Sequence, residues 1–311
     1  MRTVFMGTPE FAVPCLRRLA AETEVVGVFT QPDRPQGRGL VLTAPPVKQV
    51  ALELGLPVYQ PPRLREPACL EQLQALDPDL IVVVAYAQLL TPQILSLPPY
   101  GCINVHASLL PAYRGGAPIH WAIINGETAT GITTMYMSEE LDAGDILLQD
   151  VLPIGPNDTC GQIHDQLAEL GAETLSRTLA ALREGKLEPK PQPQEGVSYA
   201  RNLTKQDGLI DWDKSAIAIH NQVRGLNPWP VAYTSHNGKR LRIFSTRVVE
   251  TGTLARSTSP GCVIEIESEG PLVQTGDGVL LLQEVQPESK RRMSGTDYAR
   301  GHALAPGSRL G

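Results

Sequence analysis

Asn104 and His106 are the residues of this chain whose types and spacing most directly suggest chemistry. They fall in Cys-Ile-Asn-Val-His at 102–106, a run whose composition predicts a strand. Side chains two apart on a strand share a face, so Asn104 and His106 point the same way. Ile103 and Val105 then point into the packing behind them. The strand breaks into a loop rich in Pro and Gly, followed by a helix-like run over 117–125. In an α/β chain, the C-terminal end of a strand is where ligands bind. Asn offers a fixed hydrogen-bond donor, and His a donor that also carries charge. Together they could stabilise an oxygen that gains negative charge when a carbonyl carbon is attacked. Taken alone, such a pair more often just satisfies nearby loop backbone.

A third residue changes that balance. Residues 138–146 read Ser-Glu-Glu-Leu-Asp-Ala-Gly-Asp-Ile. Asp142 precedes Gly144 and falls in a turn between strand-like runs at 131–137 and 146–151. A carboxylate beside His106 would pair with the charged imidazole, and a short water chain could carry protons. The alternative for Asp142 is a solvated acidic turn. Asp142 and Asp145 lack the alternating oxygen ligands of a calcium loop, so no metal site is expected there.

Asn104-x-His106, Ser-Leu-Leu-Pro-Ala-Tyr-Arg-Gly at 108–115 and Leu-Asp-Ala-Gly-Asp at 141–145 together resemble the folate-dependent formyltransferases. The resemblance implies 10-formyltetrahydrofolate as the formyl donor, consumed as a co-substrate. It implies Asn104, His106 and Asp142 as the catalytic residues, and Ser108, Leu109, Leu110 and Pro111 as the segment bordering the folate. It runs over essentially the full length. Met6-Gly-Thr-Pro-Glu-Phe11 follows the first strand and Gln31-Pro-Asp-Arg-Pro-Gln-Gly-Arg-Gly39 the second. Ile210-Asp-Trp-Asp213 and Asn227-Pro-Trp-Pro230 fall in the last third.

Within the family, the match is greatest to the branch whose acceptor is initiator methionyl-tRNA. That branch implies attack by the neutral α-amine of the methionine and a contact of Arg38 with the acceptor stem. The segment after Gly39, Leu40-Val-Leu-Thr-Ala-Pro-Pro46, is less basic than is usual there. No acyl-enzyme is expected, because no His–Asp relay is placed to activate Ser108.

Three other functions share parts of this pattern. A formyltransferase of amino-sugar nucleotides has the longer architecture, but the Gln31–Gly39 loop favours the tRNA branch. A formyl-folate hydrolase would use the same trio with water in place of the amine. A non-catalytic RNA-binding protein would have no need of the trio.

These residues must be positioned by a larger frame. At 311 residues, two domains are expected. The first part alternates strand and helix signals. Strands are predicted at 2–6, 24–30 and 80–85, the last a wholly apolar, β-branched run typical of a central parallel strand. Thr8-Pro9-Glu10 predicts a capped helix start, with the helix over 11–20. Further helices are predicted at 46–54 and 158–182. The fold class is therefore α/β: a Rossmann-like, mostly parallel sheet followed by a small β-barrel, which the resemblance makes oligonucleotide-binding-fold-like. The domains are read as 1–190, a Pro-rich linker at 191–205, and a tRNA-binding domain at 206–311. The last contains a helix over 215–224 and short strands near 232, 241, 261 and 278. Trp212 and Trp229 could stack on bases, although packing is the commoner role of a Trp beside Pro.

Composition narrows the partners. Residues 1–200 hold 13 Lys and Arg against 22 Asp and Glu, a balance of −9, whereas 201–311 hold 14 against 11, a balance of +3. A mildly basic second part fits a polyanionic substrate held there. Five Cys without Cys-x-x-Cys spacing argue against zinc and against a disulfide framework. No Gly-x-Gly-x-x-Gly follows the first strand, so no nicotinamide cofactor is expected. No apolar stretch is long enough for a membrane span, and the first residues read as a strand rather than a signal peptide. A cytoplasmic protein is expected, and nothing calls for an obligate dimer, so a monomer is expected. One outcome follows from the missing ligand spacing: exhaustive chelation should leave formyl transfer intact. Assay on pre-folded tRNA checks this, and rescue of a lost activity by one specific divalent ion would contradict it.

Overall fold

The structure is a computed structural model and describes residues 1–36, 39, 41–249 and 258–311. It divides into two compact units. The first comprises Met1–Pro118, Ala129–Pro153 and His164–Ala200; the second comprises Ile119–Thr128, Ile154–Ile163 and Arg201–Gly311. Residues 191–205, expected as a linker, are thus divided between Ala200 and Arg201. No helix among the described residues is long and apolar enough to cross a membrane.

The first unit is built on a seven-stranded sheet. Across it lie Val58–Tyr59, Glu24–Phe29, Arg2–Gly7, Leu80–Val84, Cys102–His106, Ala129–Tyr136 and Ile146–Pro153. The first five are parallel and the last two antiparallel. Leu80–Val84 is buried at every position, as its unbroken apolar sequence requires. Chain order reverses between Arg2–Gly7 and Leu80–Val84, so a crevice is expected beyond the strand ends near this point. Cys102–His106 is the next strand over. Asn104 pairs with Val83 on one side and Met135 on the other, and His106 is opposite Thr133.

Two local expectations need correction. Thr8 caps no helix. A short 3-10 turn, Glu10–Ala12, has Pro9 at its N-cap, and the α-helix Val13–Glu22 starts after it without a side-chain cap. The Thr8 hydroxyl instead accepts from Gln31 N at 3.4 Å. The apolar segment after Gly39 is not all loop: Val41–Thr43 pairs with Arg34–Gln36 as a small hairpin. The Pro-rich segment contains a turn at residues 194–196 and is tied down on either side of it. Lys190 exchanges backbone hydrogen bonds with Ile146, and Ala200 N donates to Arg114 O at 2.7 Å.

The second unit carries an antiparallel sheet. Its order is Ala232–His236, Lys239–Val249, Val279–Pro287, Pro271–Gln274 and Val263–Ile266, with Met293–Ser294 beside Val279–Pro287. Unpaired edges invite association. Here residues 308–311 link the two: Val263 N donates to Ser308 O at 2.8 Å, and Gly311 N to Ser235 O at 3.0 Å. Trp212 is buried and donates to Thr234 Oγ1 at 3.0 Å, so it is a packing anchor, while Trp229 is exposed.

Two buried histidines make this unit sensitive to acid. His220 lies between Thr246 Oγ1 and Pro156 O, each at 3.0 Å. His236 contacts the Tyr298 hydroxyl at 2.8 Å. Burial lowers the affinity of both for a proton; a nearby Arg224 adds to this at His220 and His302 adds to it at His236. The unfolded chain therefore binds these protons more readily. Their contribution to stability is full above the ordinary value of 6.5 and is lost as pH falls below it towards the folded values. The urea midpoint should drop between pH 7.5 and 5.5, and His236→Gln should flatten that slope. An unchanged slope in both His220→Gln and His236→Gln would contradict this assignment.

Candidate active site

The three residues singled out by sequence come from different segments, and the first unit gathers two of them directly. His106 Nδ1 lies 3.8 Å from Asp142 Oδ2, within ion-pair reach but too far for a hydrogen bond. Both side chains are largely buried, at 7% and 12% exposure. His106 Nε2 is 3.0 Å from Tyr113 O. A carbonyl only accepts, so Nε2 carries a proton, and Nδ1 is the nitrogen left facing Asp142. Asn104 shares the strand face of His106 and is 9% exposed. Its amide has no hydrogen-bond partner among the described residues.

Asp142 is held from several sides. Its Oδ2 accepts from Gly115 N at 2.8 Å. Its backbone is left-handed, at φ +50, and that of Tyr113 is at φ +60. Such conformations are uncommon for residues with a Cβ and cluster at functional sites. Two glycines make the close approach possible. A Cβ on Gly144 would lie 1.8 Å from Tyr136 O, and one on Gly115, at φ +115, would lie 2.7 Å from Ala200 O.

The loop Ser108–Pro111 follows His106 directly. Ser108 is fully buried, and its hydroxyl donates to Ala112 O at 2.6 Å. Thr133 Oγ1 accepts from Leu110 N and donates to Ser108 O, fixing the loop against the neighbouring strand. A cavity of about 180 Å³ adjoins the Asp142 turn, lined by Leu89, Leu90, Pro92, Met135, Met137 and residues 138–142. Ser108–Pro111 do not line it. This space suits a ring-sized part of a ligand, since whole drug-sized ligands take roughly 300 Å³ or more. Leu89 and Leu141 stand exposed beside it. A larger groove, about 670 Å³, lies between Val13–Glu22 and the helix Cys160–Arg183; Glu10 of the first motif lines it, but Asn104, His106, Asp142 and Ser108–Pro111 do not. Arg38 lies outside the described residues. Before it in sequence, Asp33 is bound by Gln60 Nε2 at 2.7 Å and Lys48 Nζ at 2.7 Å, and the Gln60 contact, with that of Lys48 after it, holds its carboxyl below the ordinary range.

Sequence reasoning does not find Gln192. It lies between Pro191 and Pro193, and its amide reaches both Arg114 and the Asp142 turn. Arg114 and Asp142 lie in the motifs, but nothing local to Gln192 marks its contact with them.

Family comparison adds identity to this geometry. Residues 1–179 match the family described as formyl transferase, and 202–303 match the formyl transferase C-terminal domain. The methionyl-tRNA formyltransferase of Moorella thermoacetica is 50% identical over 312 aligned positions, covering 100% of this chain and 99% of that one. The chain belongs to the methionyl-tRNA formyltransferase family.

Solved structures share the fold at lower identity. An N-formyltransferase from Helicobacter canadensis, in complex with folinic acid and dTDP-3-aminofucose, superposes with a TM-score of 0.69 at 18% identity. The match covers 90% of this chain and 98% of that one. HypX from Aquifex aeolicus, in complex with tetrahydrofolic acid, gives 0.62 at 18% identity; 96% of this chain is covered but only 47% of HypX.

In this family member, the engaged Ser108 hydroxyl makes a clear outcome. Ser108→Ala should cost about 1 kcal/mol of stability, the usual value of one hydrogen bond. It should leave formyl transfer within a few-fold of normal. Abolished transfer with normal folding would instead identify Ser108 as a reacting group.

Proposed function

We propose that this chain transfers the formyl group of 10-formyltetrahydrofolate to the α-amine of initiator methionyl-tRNA. One observation carries the chemical part of this reading. Asn104 presents an amide with no hydrogen-bond partner among the described residues on the same strand face as His106, whose Nδ1 faces Asp142, and Asp142 borders a cavity lined in part by Leu89, Leu90, Met135 and Met137. The acceptor is supported by the near full-length likeness to a methionyl-tRNA formyltransferase.

The neutral amine attacks the formyl carbon, and the carbonyl electron pair moves to oxygen. The Asn104 amide donates to that oxyanion. His106 donates through Nδ1–H when it is an imidazolium, because Nε2–H is committed to Tyr113 O. Asp142 pairs with the imidazolium and, through water, passes the proton lost by the amine to N10 of the folate. The C–N10 bond then breaks, giving formylmethionyl-tRNA and tetrahydrofolate. The cavity beside Asp142 receives a flat part of the folate, and the Ser108–Pro111 loop, outside that cavity, borders the rest of the folate.

The first unit is the catalytic part, and the second holds the tRNA. Lys239, Arg240 and Arg242 are exposed on one strand, and Lys290, Arg291 and Arg292 are exposed after the strand paired with it. Such groups bind phosphate without reading sequence. Arg38 contacts the acceptor stem. A single chain carries every group named, so a monomer suffices, and an aminoacyl-tRNA substrate places the reaction in the cytoplasm.

The test is formyl transfer from 10-formyltetrahydrofolate to initiator Met-tRNA, elongator Met-tRNA, glycinamide ribotide, an amino-sugar nucleotide and water. Initiator Met-tRNA should be formylated fastest. Asn104→Ala should lower the rate about 100-fold or more with little loss of folate affinity. Rapid formate release without any acceptor would make the chain a hydrolase. Near-normal turnover in Asn104→Ala would remove the oxyanion role.

A further inference from the structure

We propose that Gln192 is a positioning residue for formyl transfer, holding the Asp142 turn in place through its side-chain amide. This rests on the reading of Asp142 as the group that serves His106. Gln192 Nε2 lies 2.8 Å from Asp142 O and 2.8 Å from Gly144 O. Among the described residues, these two carbonyls accept from no other donor. A primary amide has two N–H groups, and here the two short contacts both go to the one turn, with Met135 Sδ a longer third contact at 3.9 Å. The other end of the amide is equally committed. Gln192 Oε1 accepts from Arg114 Nε at 3.1 Å and Nη2 at 2.7 Å. Arg114 is buried, and its Nη1 is 3.5 Å from Glu140 Oε1 on the same turn. The orientation of the amide is chemically forced, because guanidinium only donates and carbonyls only accept.

The consequence falls on Asp142. Its backbone is left-handed, which neighbours must enforce in a residue with a Cβ. Gly115 N fixes the carboxylate, and Gln192 fixes the peptide groups around it. Arg114 and Gly115 are adjacent, so both restraints on the turn come from one place in the loop after His106. Removing the Gln192 donors frees the turn to relax its backbone and shift the carboxylate from its 3.8 Å approach to His106 Nδ1.

Gln192 also lies on the segment that leads to the second unit. Pro191 and Pro193 restrict the backbone on either side of it. Lys190 pairs with Ile146, and Ser198 Oγ accepts from Tyr113 N at 2.9 Å. This segment therefore touches both the Asp142 turn and the residue whose carbonyl accepts from His106.

The test compares single-turnover formyl transfer to initiator Met-tRNA, at saturating 10-formyltetrahydrofolate, in four variants of the full chain. Gln192→Glu keeps length and gives Arg114 a carboxylate, but turns acceptors towards two carbonyls. Gln192→Met keeps the bulk and brings no charge, and it decides the matter if the Glu variant does not fold. Each should lower the rate about tenfold or more, as small displacements of catalytic groups do. Affinity for Met-tRNA should stay within about threefold, the mark of a change in positioning rather than binding. Asp142→Asn alone should be slow, and Asp142→Asn/Gln192→Glu should be no more than about twofold slower still, since coupled residues do not add. Wild-type rates in folded Gln192→Glu or Gln192→Met would overturn the proposal. So would a full additive loss in the Asp142→Asn background. A wild-type rate in Asp142→Asn would overturn the role of Asp142 itself, a result distinct from either.

Discussion

The hydrogen bond from Gly115 N to Asp142 Oδ2, 2.8 Å long, joins the two segments on which the site depends. One is the loop that follows the Asn104–His106 strand. The other is the turn between the two antiparallel strands of the sheet. This bond fixes the carboxylate itself, while Gln192 holds the peptide groups around it. The bond is possible because Gly115 adopts a backbone conformation that side chains disfavour, and because Gly144 leaves room beneath Tyr136 O. The sheet supplies the rest. Cys102–His106 is buried at all five positions and paired on both sides, so the face shared by Asn104 and His106 is fixed by ladder register rather than by loop packing. A site built on a strand in this way is held more precisely than one built on loops.

Much of this arrangement is legible in the chain. The alternation at 102–106 and the unbroken apolar run at 80–85 predict strands that are present within a residue, as Cys102–His106 and Leu80–Val84. The long helix predicted at 158–182 forms as Cys160–Arg183. Its periodic Leu and Ile side chains pattern one face, and Ile163, Leu167, Leu175 and Leu179 are buried. Other elements leave weaker marks. The helix Pro67–Leu76 buries only Cys69 and Leu73, too narrow a face to stand out. The helix Gly295–Gly301 begins and ends in glycine and depends on Ser294 as its cap. Thr8 looks like a cap by residue type, but its hydroxyl is taken by the Gln31 backbone, a contact set by tertiary structure.

The motif residues were legible because their spacing is local: two positions on one strand, and one before a glycine in a tight turn. Gln192 was not, because its contacts run to Arg114 and to backbone carbonyls of Asp142 and Gly144, far away in sequence. Backbone carbonyls carry no residue identity, so no pattern marks a residue that binds them. The spare nitrogen of His106 was likewise invisible to sequence. Strand alternation fixes which way the ring points, but only the Tyr113 carbonyl decides that Nδ1 is the nitrogen available to a substrate.

The central claim is that Asn104 and His106 meet the formyl oxygen. A crystal structure of the chain bound to a non-transferring 10-formyl folate analogue tests it most directly. The account predicts the formyl oxygen about 3 Å from Asn104 Nδ2 and from His106 Nδ1, the usual hydrogen-bond distance. It also predicts the folate ring in the cavity lined by Leu90, Met135 and Met137. A formyl group seated in the groove lined by Arg17 and His164, or one that leaves the Asn104 amide still without a partner, would contradict it.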